Sequence, residues 1–535
     1  MKKMLLLLLM MLSLFVLTVI VSQGIAAEFH VTNAIEFQDA LNTATTNGQD
    51  DTIYLAAGTY QGNFTYTPPK PWPKSIAIMG EPGIRAEDII IDGEDSGTAL
   101  YFYDWTETEV AEVRIDGVTI QNGNSLGNGG GIFAAVATYN IFITNCILKN
   151  NTARGSGGGV YLTTEVPGGG TITLENNLIL GNTVTEIFGG SRGAGASMAY
   201  TYGHCVIRNN IIARNTAQGE TDPQGGGLWV GSGLDNIVHL VGNTIYANQA
   251  TAGGGVYFEG VDMTNIYNNI IYGNTAIQGG DIYFGSVASR IGYNNDYSKM
   301  FGTWTDSGSN LDTDPLFLDP ANNDFHLRPT SPMIGAGTGD VPNPPGLPAT
   351  DFEGNQRAVG AAPDIGAYES PPMNPSEGTY GTEIAVSGSG FGTKKGKVLI
   401  GSTALKILEW ANGLIRCQLT RVLDPGTYTV TIAPKGASSI IIENGFTVKT
   451  PEIDLINPTS GPAGDEITIY GFFFGTKKGK VFLGGKSCKI RSWTMDPTTG
   501  ASEIRFVVPK GLSSGSQELK VINKVGEDTE NFGAD

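Results

Sequence analysis

The sequence predicts an all-β chain made of a parallel β-helix followed by two small β-sandwiches. A short phrase, Asn-x-Ile-x-x-Asn, recurs at steps of roughly 26 to 33 residues, inside the period range of solenoid proteins. A run of glycines and then an apolar triplet, usually with an aromatic centre, follow most copies. Beyond residue 370 the phrase stops, and FGTKKGKV occurs twice, at Phe391–Val398 and Phe474–Val481.

Three short β-rich runs make up each repeat. In the unit around Asn177 they are Thr171–Glu175, Leu178–Asn182 and Gly195–Met198. Each run is too short for a helix and is bounded by Gly or Asn, which favours a strand. Runs of constant phase place each strand about 4.8 Å from its equivalent in the next coil. The copies of the phrase begin at Gly117 (degenerate), Asn145, Asn177, Asn210, Asn243, Asn269 and Asn295 (fading).

Two kinds of corner are expected between these strands. The recurring Asn predicts an internal ladder at one corner, because Asn tolerates a left-handed backbone and carries both a donor and an acceptor. The alternative is that Asn only marks turns. Glycines at 129–131, 157–159, 225–227 and 253–255 predict a second corner where the backbone is crowded or needs a positive φ.

The segment before the repeat has the features of a cap. Ala34–Thr45 has helical spacing, with Phe37, Ala40, Leu41 and Ala44 on one face. Such a helix would cover the apolar end of the solenoid. A strand is expected at 51–55, a turn at 58–60, irregular early coils over 60–115 and the regular repeat over about 117–297.

Residues 1–27 have the pattern of a secretory signal peptide. Lys2 and Lys3 precede an apolar stretch from Leu5 to Val21 and a small-residue cleavage site. An uncleaved anchor is the alternative. The mature protein is therefore expected to be secreted or held at the cell surface, without membrane insertion after cleavage, and monomeric.

Composition narrows the classes of partner. The 535 residues include 75 glycines, carry a net charge of −19 and contain only 16% charged residues. This balance argues against nucleic acid and anionic membranes, which need basic patches. The four cysteines, Cys146, Cys205, Cys417 and Cys488, are far apart and are expected to be buried thiols without a disulfide framework.

An aromatic stripe is the strongest candidate site. In the triplets after the Gly corners the flanking positions are apolar, so the middle position is expected to point outward. It is aromatic in all but one coil, which at the strand spacing gives a stripe of about 24 Å over five steps. Sugar rings could pack on such a stripe; alternatively, the rings are structural or lie under loops. The candidate carbohydrate-binding residues are Phe133, Tyr161, Trp229, Tyr257 and Tyr283.

Catalytic residues are harder to find. The triplets contain no charged residue, whereas a lyase needs a base and a hydrolase needs two carboxylates. Glu220 and Asp222 are weak catalytic candidates, with solvated loop acids as the alternative. Other nearby charged residues are Arg154, Arg192, His204, Arg214, Glu165, Glu259 and Asp262.

The sequence predicts no cofactor, and it contains no defined metal-binding motif. Asp312, Asp314 and Asp319 could bind Ca²⁺, but their spacing fits no calcium-binding loop. Carboxylates that cap turns are the expected alternative.

The first two thirds of the chain resemble a known superfamily. The helix-then-GTY start, the NNI…GGG coils and the segments at 314–317, 331–337 and 364–369 resemble secreted bacterial right-handed parallel β-helix proteins. These belong to the pectate-lyase-like superfamily, among its choice-of-anchor members. The resemblance covers roughly residues 28–370 and implies a right-handed, three-sided β-helix, but only weakly implies an activity.

The C-terminal third resembles a second family. Asn374–Gly392 and Asn457–Gly475 share a Pro-x-x-Gly-x-x-Gly…Gly-x-x-Phe-Gly frame, and alternating strands with regular turns predict β-sandwiches. The frame resembles IPT/TIG immunoglobulin-like domains, expected at 371–450 and 451–535 as spacers or interaction domains. Their Lys-Lys-Gly-Lys turns could bind acidic polymers or could simply be solvated.

The sequence therefore predicts an exported, non-catalytic protein that binds a polysaccharide or cell-surface glycan. The alternative is a lyase or glycosidase for an acidic polysaccharide, with catalytic groups in the loops beside the β-helix groove.

Overall fold

The computed structural model describes residues 26–534 except 70–73, 105–110, 137–138, 165–169, 186–189, 202, 233–236, 286–287, 293, 295–298, 329–330, 342–345, 358–361, 371–372, 388–390, 412 and 437–438. The chain divides into two compact units, Met1–Asp312 with Pro342–Leu347 and Thr313–Val341 with Pro348–Asp535. Nearly all of the signal peptide lies outside the described residues. The signal peptide and the domain boundaries near 27, 370 and 450 stay predictions. The two units divide near residue 312, so the last part of the predicted 28–370 domain belongs to the second unit.

The first unit is a parallel β-helix whose coils run through sheets A, B and C in turn, with short strands of sheet D between B and C. Sheet A contains Ala27–Val31, Asp51–Leu55, Ile76–Gly80, Ala111–Asp116, Tyr139–Thr144, Ile172–Glu175, His204–Arg208, Ile237–Val241, Met263–Tyr267, Ala288–Gly292 and Thr305–Asp306. Sheet B contains Gly58–Gln61, Ile89–Asp92, Thr119–Gln121, Ile147–Lys149, Leu178–Leu180, Ile211–Ala213, Thr244–Tyr246 and Ile270–Tyr272. Sheet C contains Phe64–Tyr66, Leu100–Asp104, Ile132–Val136, Val160–Thr164, Ala196–Thr201, Leu228–Ser232, Val256–Glu259, Ile282–Phe284 and Met300–Phe301. Sheet D contains Asn124–Ser125, Thr152–Ala153, Thr183–Thr185 and Thr216–Gln218.

The all-β fold class and the three-strand coil predicted from the sequence are confirmed. The early segment is more regular than predicted. Gly58–Gln61 is a strand of sheet B instead of a turn, and sheet A already begins at Ala27. Alternating burial explains this: Ile53, Leu55 and Ile76 enter the apolar interior without any Asn or Gly phrase to mark the coil.

Helix α1, Ala34–Ala44, covers the first coils as predicted. Asn33 caps it, and its side chain accepts hydrogen bonds from the N–H groups of Ile35 and Glu36. The buried residues of the helix are the predicted Phe37, Ala40, Leu41 and Ala44, and they join the continuous core of the β-helix. A short 3₁₀ turn, Ala86–Asp88, precedes one of the sheet B strands.

Two buried asparagine ladders, instead of the one predicted, run along the corners on either side of sheet B. At each step the Oδ1 atom of one Asn accepts two hydrogen bonds from the Asn of the preceding coil, one from its backbone N–H and one from its side-chain amide. For example, the backbone N–H and the side-chain amide of Asn210 donate to Asn243 Oδ1, at 2.9 and 3.0 Å. The amide of Asn210 also donates to the Leu174 carbonyl at 2.8 Å. One ladder contains Asn177, Asn210, Asn243, Asn269, Asn294 and Asn310. The other contains Asn151, Asn182, Asn215, Asn248 and Asn274.

The predicted frame of the phrase is wrong by one residue at both ends. Ile147 pairs with Leu178, so Cys146, and not Asn145, is level with Asn177 and donates its N–H to Asn177 Oδ1 at 3.0 Å. At the other end Asn294 continues the ladder, whereas the predicted Asn295 lies outside the described residues. The left-handed backbone belongs to the residue before the ladder position, such as Asn176 at φ 58°. The left-handed backbone and the paired donor and acceptor thus belong to two neighbouring residues, not to one Asn.

The glycine corner is confirmed, and it requires glycine for two reasons. Gly225 has a φ of +66°, a conformation that L side chains avoid. At Gly227 an added Cβ would lie 2.6 Å from the carbonyl oxygen of Gly255 in the next coil. At Gly227 the next coil therefore approaches too closely for any side chain. All four cysteines are buried thiols outside any disulfide, as predicted.

The second unit begins with an irregular segment that holds buried charges. Phe317–Asp319 and Asp324–Leu327 pair as antiparallel strands around a 3₁₀ turn at Pro320–Asn322. Asp351 accepts the N–H groups of Asn355 and Glu369, at 2.8 and 2.9 Å. Asp364 accepts those of Gly335 and Ser370, at 2.7 and 2.6 Å. Arg357, close to Glu369, donates to backbone carbonyls, so these groups hold loops together without secondary structure.

Two antiparallel sandwiches follow, as predicted. The first has sheets of Met373–Asn374, Glu383–Ser387, Leu414–Gln418 and Lys406–Trp410, and of Glu377–Gly378, Ile440–Val448, Gly426–Ala433, Lys397–Ile400 and Thr403–Ala404. The second has sheets of Glu452–Asn457, Glu466–Phe472, Ala501–Val507 and Lys489–Met495, and of Ser460–Gly461, Glu527–Ala534, Gly515–Ile522, Lys480–Leu483 and Lys486–Ser487. Their cores are separate clusters of apolar side chains.

The repeated FGTKKGKV turns have a structural explanation. An added Cβ at Gly396 or at Gly479 would lie 2.7 Å from the ring of Trp410 or Trp493 respectively, so each turn packs against an indole through its glycine. The two sandwiches also touch each other. Glu383 donates its N–H to the Pro497 carbonyl at 2.7 Å, and Lys477 lies 4.6 Å from the Tyr380 ring centre.

We expect the substitution Asn243→Ala to lower the free energy of unfolding by on the order of 3 kcal/mol, because it removes the shared acceptor of Asn210 and the donor to Ile207 and Asn269. Chemical denaturation followed by circular dichroism measures this change. Asn42→Ala, on the exposed side of α1, is the control and should change stability by less than about 0.5 kcal/mol. Equal effects would contradict a stabilising ladder.

Stability of the second unit is expected to fall as the pH rises from about 4 to 7. Burial raises the pKa of Asp364 to about 6, although the N–H groups of Ser370 and Gly335 and the charge of Arg357 favour its carboxylate. A raised folded-state pKa gives stability that is present below the ordinary pKa and lost as the pH passes the raised value.

Asp364→Asn should therefore flatten this part of the pH profile, by on the order of 2 kcal/mol between pH 4 and 7. Denaturant titrations at several pH values measure the slope, independently of any constant loss of stability. The exposed Asp319→Asn should keep the wild-type slope, and a wild-type slope in Asp364→Asn would refute the assignment.

Candidate aromatic binding face

The outer face of sheet C carries a continuous column of side chains. In each strand the residues on either side of the column, such as Val160 and Leu162, lie in the apolar interior of the β-helix. The column residues pack in a cluster of their own, outside that interior. Strand register aligns Tyr101, Phe133, Tyr161, Ser197, Trp229, Tyr257, Tyr283 and Phe301. The column thus contains all five residues predicted to bind carbohydrate, plus Tyr101 and Phe301.

The rings form two stacks separated by a central break. Phe133 stacks between Tyr101 and Tyr161, with ring centres 4.7 and 5.4 Å apart. Tyr283 stacks between Tyr257 and Phe301, at 4.6 and 4.8 Å. Ser197 and Trp229 separate the two stacks.

Burial differs sharply along the column. Tyr161, Tyr257 and Trp229 are only 9%, 8% and 4% exposed. Phe301 at one end is 44% exposed, and Tyr103, beside Tyr101 at the other end, is 41% exposed. The rings therefore stack on one another in the middle of the column and meet solvent at its ends, while carbohydrate binding by these residues stays a prediction.

The indole of Trp229 is held differently from the stacked rings. It lies over Gly231, where an added Cβ would overlap its six-membered ring. Its Nε1–H donates to Gln224 Oε1 at 3.2 Å, and the guanidinium of Arg192 lies 4.8 Å from the ring centre. A charged side chain therefore occupies the position that a neighbouring ring takes elsewhere in the column.

Three charged groups surround this break. Arg192 Nη2 lies 3.8 Å from Glu259 Oε2, and the two side chains are 35% and 48% exposed. Burial, first, and then Tyr283, Glu259 and Asp222 raise the pKa of Tyr257 to about 12, while Arg192 opposes the shift. The Tyr257 hydroxyl consequently lies within the field of both carboxylates.

The remaining predicted charged residues are scattered. Glu220 and Asp222 lie in an exposed loop before a Gly corner, and Asp222 has a φ of 37°. Arg154 is also exposed, and Arg214 occupies a left-handed corner position at φ 54°. Glu165 lies outside the described residues. Sequence reasoning recognised Arg192 and Glu259 as nearby charges, but not that they meet over Trp229.

A polar groove on the outer face of sheet A was not predicted. Its walls include Arg114, which lies 4.4 Å from the Phe142 ring centre, and Arg208, paired with Glu175 at 2.9 Å. His204 stacks at 5.9 Å on His239, whose pKa is lowered by burial and by His204. Alternation along the sheet A strands could have revealed this groove, because each of these residues occupies an outward position.

Carboxylates outside the column act as turn caps where their contacts are seen. Asp314 accepts the N–H of Leu316 at 2.8 Å, and Asp319 accepts the amide of Asn322 at 2.7 Å. Across the described part of the chain, no group of three or more His, Cys, Asp and Glu side chains is placed to hold a metal ion. The described residues also contain no helix with the length and hydropathy of a membrane span.

Comparisons with known families agree with this architecture. The model of the right handed beta helix region matches residues 76–296, and that of the IPT/TIG domain matches 370–448 and 451–532. The chain is a right-handed β-helix protein with two IPT/TIG domains. The family resemblances inferred from the sequence are thus confirmed for the β-helix and for both IPT/TIG domains.

Individual relatives of this β-helix protein cover only parts of it. A cyclomaltodextrin glucanotransferase of Geobacillus stearothermophilus is 29% identical over 113 residues, which is 20% of this chain and 16% of that enzyme. A surface glycan-binding protein of Prevotella bryantii matches 29% of this chain and 36% of its own, with 15% identity and a TM-score of 0.17. A Bacteroides ovatus protein, SGBP-B, matches 29% and 42%, with 14% identity and a TM-score of 0.18.

We expect Gly231→Ala to displace the indole of Trp229 and to cost about 1–3 kcal/mol of stability, as over-packed sites do. Tryptophan fluorescence and the denaturation midpoint measure the two effects. Ser197→Ala in the preceding coil is the control. It removes a buried hydroxyl that has no hydrogen-bond partner among the described atoms, so stability should be unchanged or slightly higher. Unaltered fluorescence in Gly231→Ala would disprove the placement of the indole.

Proposed function

We propose that this is an exported, non-catalytic protein that binds a polysaccharide along the outer face of sheet C. The observation that carries the proposal is the column of outward aromatic residues, which is exposed at Phe301 at one end and at Tyr103, beside Tyr101, at the other. The column extends over seven coil steps, or about 34 Å at the strand spacing. A binding face of that length suits a linear polymer better than a small molecule.

The chemistry of the face fits carbohydrate. Sugar rings present C–H groups that pack on aromatic faces, and tyrosine hydroxyls add hydrogen-bonding edges. Exposed faces at the two ends of the column would hold the polymer, while the stacked rings between them present their edges. The carboxylates and the guanidinium around Trp229 supply acceptors and donors for sugar hydroxyls.

Export rests on the predicted signal peptide, and the net charge of −19 argues against nucleic acid as the partner. The partial relative named for glucan transfer is in keeping with a carbohydrate partner. The IPT/TIG domains would serve as spacers or interaction domains. Their mutual contacts favour a stiff pair over two freely hinged domains.

The double substitution Tyr103→Ala, Phe301→Ala tests the proposal. Loss of two exposed aromatic contacts, each worth about 1 kcal/mol, should weaken polysaccharide binding by roughly tenfold or more. Affinity electrophoresis of the full chain against a panel of soluble polysaccharides measures the loss. Tyr470→Ala removes a tyrosine of similar exposure, 38%, from the second IPT/TIG domain and should retain wild-type affinity.

The competing function is a lyase or glycosidase whose loop acids lie beside the same face. One observation favours it: the charges of Glu259 and Asp222 both raise the pKa of Tyr257, and a glycosidase needs two carboxylates beside its substrate. Assays for new reducing ends or unsaturated products distinguish the two functions. Turnover that disappears in Asp222→Asn or Glu220→Gln would replace the binding-only proposal, whereas binding without turnover supports it.

A further inference from the structure

Most aromatic ring faces on the outer side of sheet C already pack against a neighbouring ring. In a stack with ring centres 4.6–5.4 Å apart, each inner ring has a neighbour on both faces and presents only its edge to solvent. A sugar ring that packs on an aromatic face cannot use these inner rings without breaking the stack. The centre of the column would therefore offer nothing to a sugar face if Trp229 were stacked like the others.

Trp229 is the exception. Among the described residues no ring stacks on its indole, which lies along its own strand over Gly231. The Arg192 guanidinium lies over the indole, 4.8 Å from the ring centre. Trp229 also belongs to a buried cluster with Tyr161, Ala199 and Tyr257, and it is only 4% exposed. It is thus an aromatic face closed by a flexible side chain instead of by a neighbouring ring.

Arg192 is weakly held in this position. Its pairing with Glu259 is long, at 3.8 Å, and both side chains are partly exposed, the situation in which ion pairs contribute little. Its Nε–H has no hydrogen-bond partner among the described atoms. Moving the guanidinium aside therefore breaks one cation–π contact with a buried indole and one long, partly exposed ion pair.

The charges around the break select the kind of sugar. Glu259 Oε2 lies 3.8 Å from Arg192 Nη2, and the charges of Glu259 and Asp222 both raise the pKa of Tyr257, whereas Arg192 opposes the shift. Among the described residues Arg192 is the cation that balances these carboxylates, and its displacement leaves them without it. Carboxylates accept hydrogen bonds from neutral sugar hydroxyls, but they repel uronates and sulfated sugars.

We infer that Trp229 is the central sugar-stacking residue of this face, that Arg192 is a displaceable cover over it, and that the ligand is a neutral polysaccharide. The inference rests on the proposed carbohydrate binding, which it makes specific. A sugar ring of the polymer takes the place of the Arg192 guanidinium on the indole, and its hydroxyls donate to Glu259 and Asp222.

Arg192→Ala is the decisive variant. Since the side chain is partly exposed and weakly paired, the variant is expected to fold, which its denaturation midpoint checks. It should bind a neutral polysaccharide such as a β-glucan or mannan about tenfold more tightly than the wild type. Quenching of tryptophan fluorescence by acrylamide should also increase, and added glycan should reverse the increase. Arg154→Ala, an exposed arginine elsewhere on the β-helix, is the matched control and should match the wild type in both measurements.

The competing outcomes separate the inference from the function on which it rests. If the wild type binds a neutral glycan and Arg192→Ala binds it equally or less well, carbohydrate binding stands and the cover is refuted. Tighter binding of polygalacturonate or alginate than of neutral polymers likewise overturns the inference alone. If neither protein binds any member of the panel, the proposed function and the inference both fail.

Discussion

A buried asparagine amide can satisfy the backbone of the next coil only when the coils repeat at the spacing of hydrogen-bonded strands. In this protein a ladder residue such as Asn210 accepts two N–H groups from the preceding coil, donates to a backbone carbonyl of that same coil and donates to the ladder Asn of the next, with almost no exposure to water. Because an unpaired buried amide is costly, a coil that shifts in register loses several bonds at once. The two ladders, on either side of sheet B, therefore fix the coils that they connect relative to one another. At the Gly corner, positions such as Gly227 leave no room for a Cβ beside the carbonyl of the next coil.

This register determines what the outside of the β-helix can be. Any side chain that recurs at one position of the coil forms a column at the strand spacing, and for aromatic residues that spacing is close to the stacking distance of rings. The stacks on sheet C follow directly, with ring centres 4.6–5.4 Å apart. The geometry that collects aromatic residues on the outer side of sheet C also stacks their ring planes against one another. A longer column therefore does not give a ligand a proportionally larger aromatic surface to stack on.

Much of the fold could be predicted because it depends on short periodic patterns. The cap residues of α1 and the inward and outward alternation on sheet C follow from the spacing of apolar residues alone. The frame of the ladder could not be fixed in the same way. Asn145 and Asn176 occupy left-handed positions directly before Cys146 and Asn177, so consecutive asparagines allow two frames, and only the neighbouring coil distinguishes them. The early coils were predicted as irregular because they lack the recurring Asn phrase, although their strands pair as regularly as the later ones.

The candidate site was only half predictable, since it arises where the repeat fails. The outward aromatic residues are periodic and could be read from the sequence, but the placement of Arg192 over Trp229 depends on side-chain conformations and on the coil that contributes Ser197 instead of a ring. Ser197 has a small side chain and Gly231 has none, so there is space for the indole of Trp229 to lie along its own strand. The same space lets Arg192 reach across two coils to Glu259. A perfectly regular column would have stacked rings throughout and no exchangeable contact. The proposed recognition therefore depends on a departure from the repeat, on a surface whose other rings stack between coils.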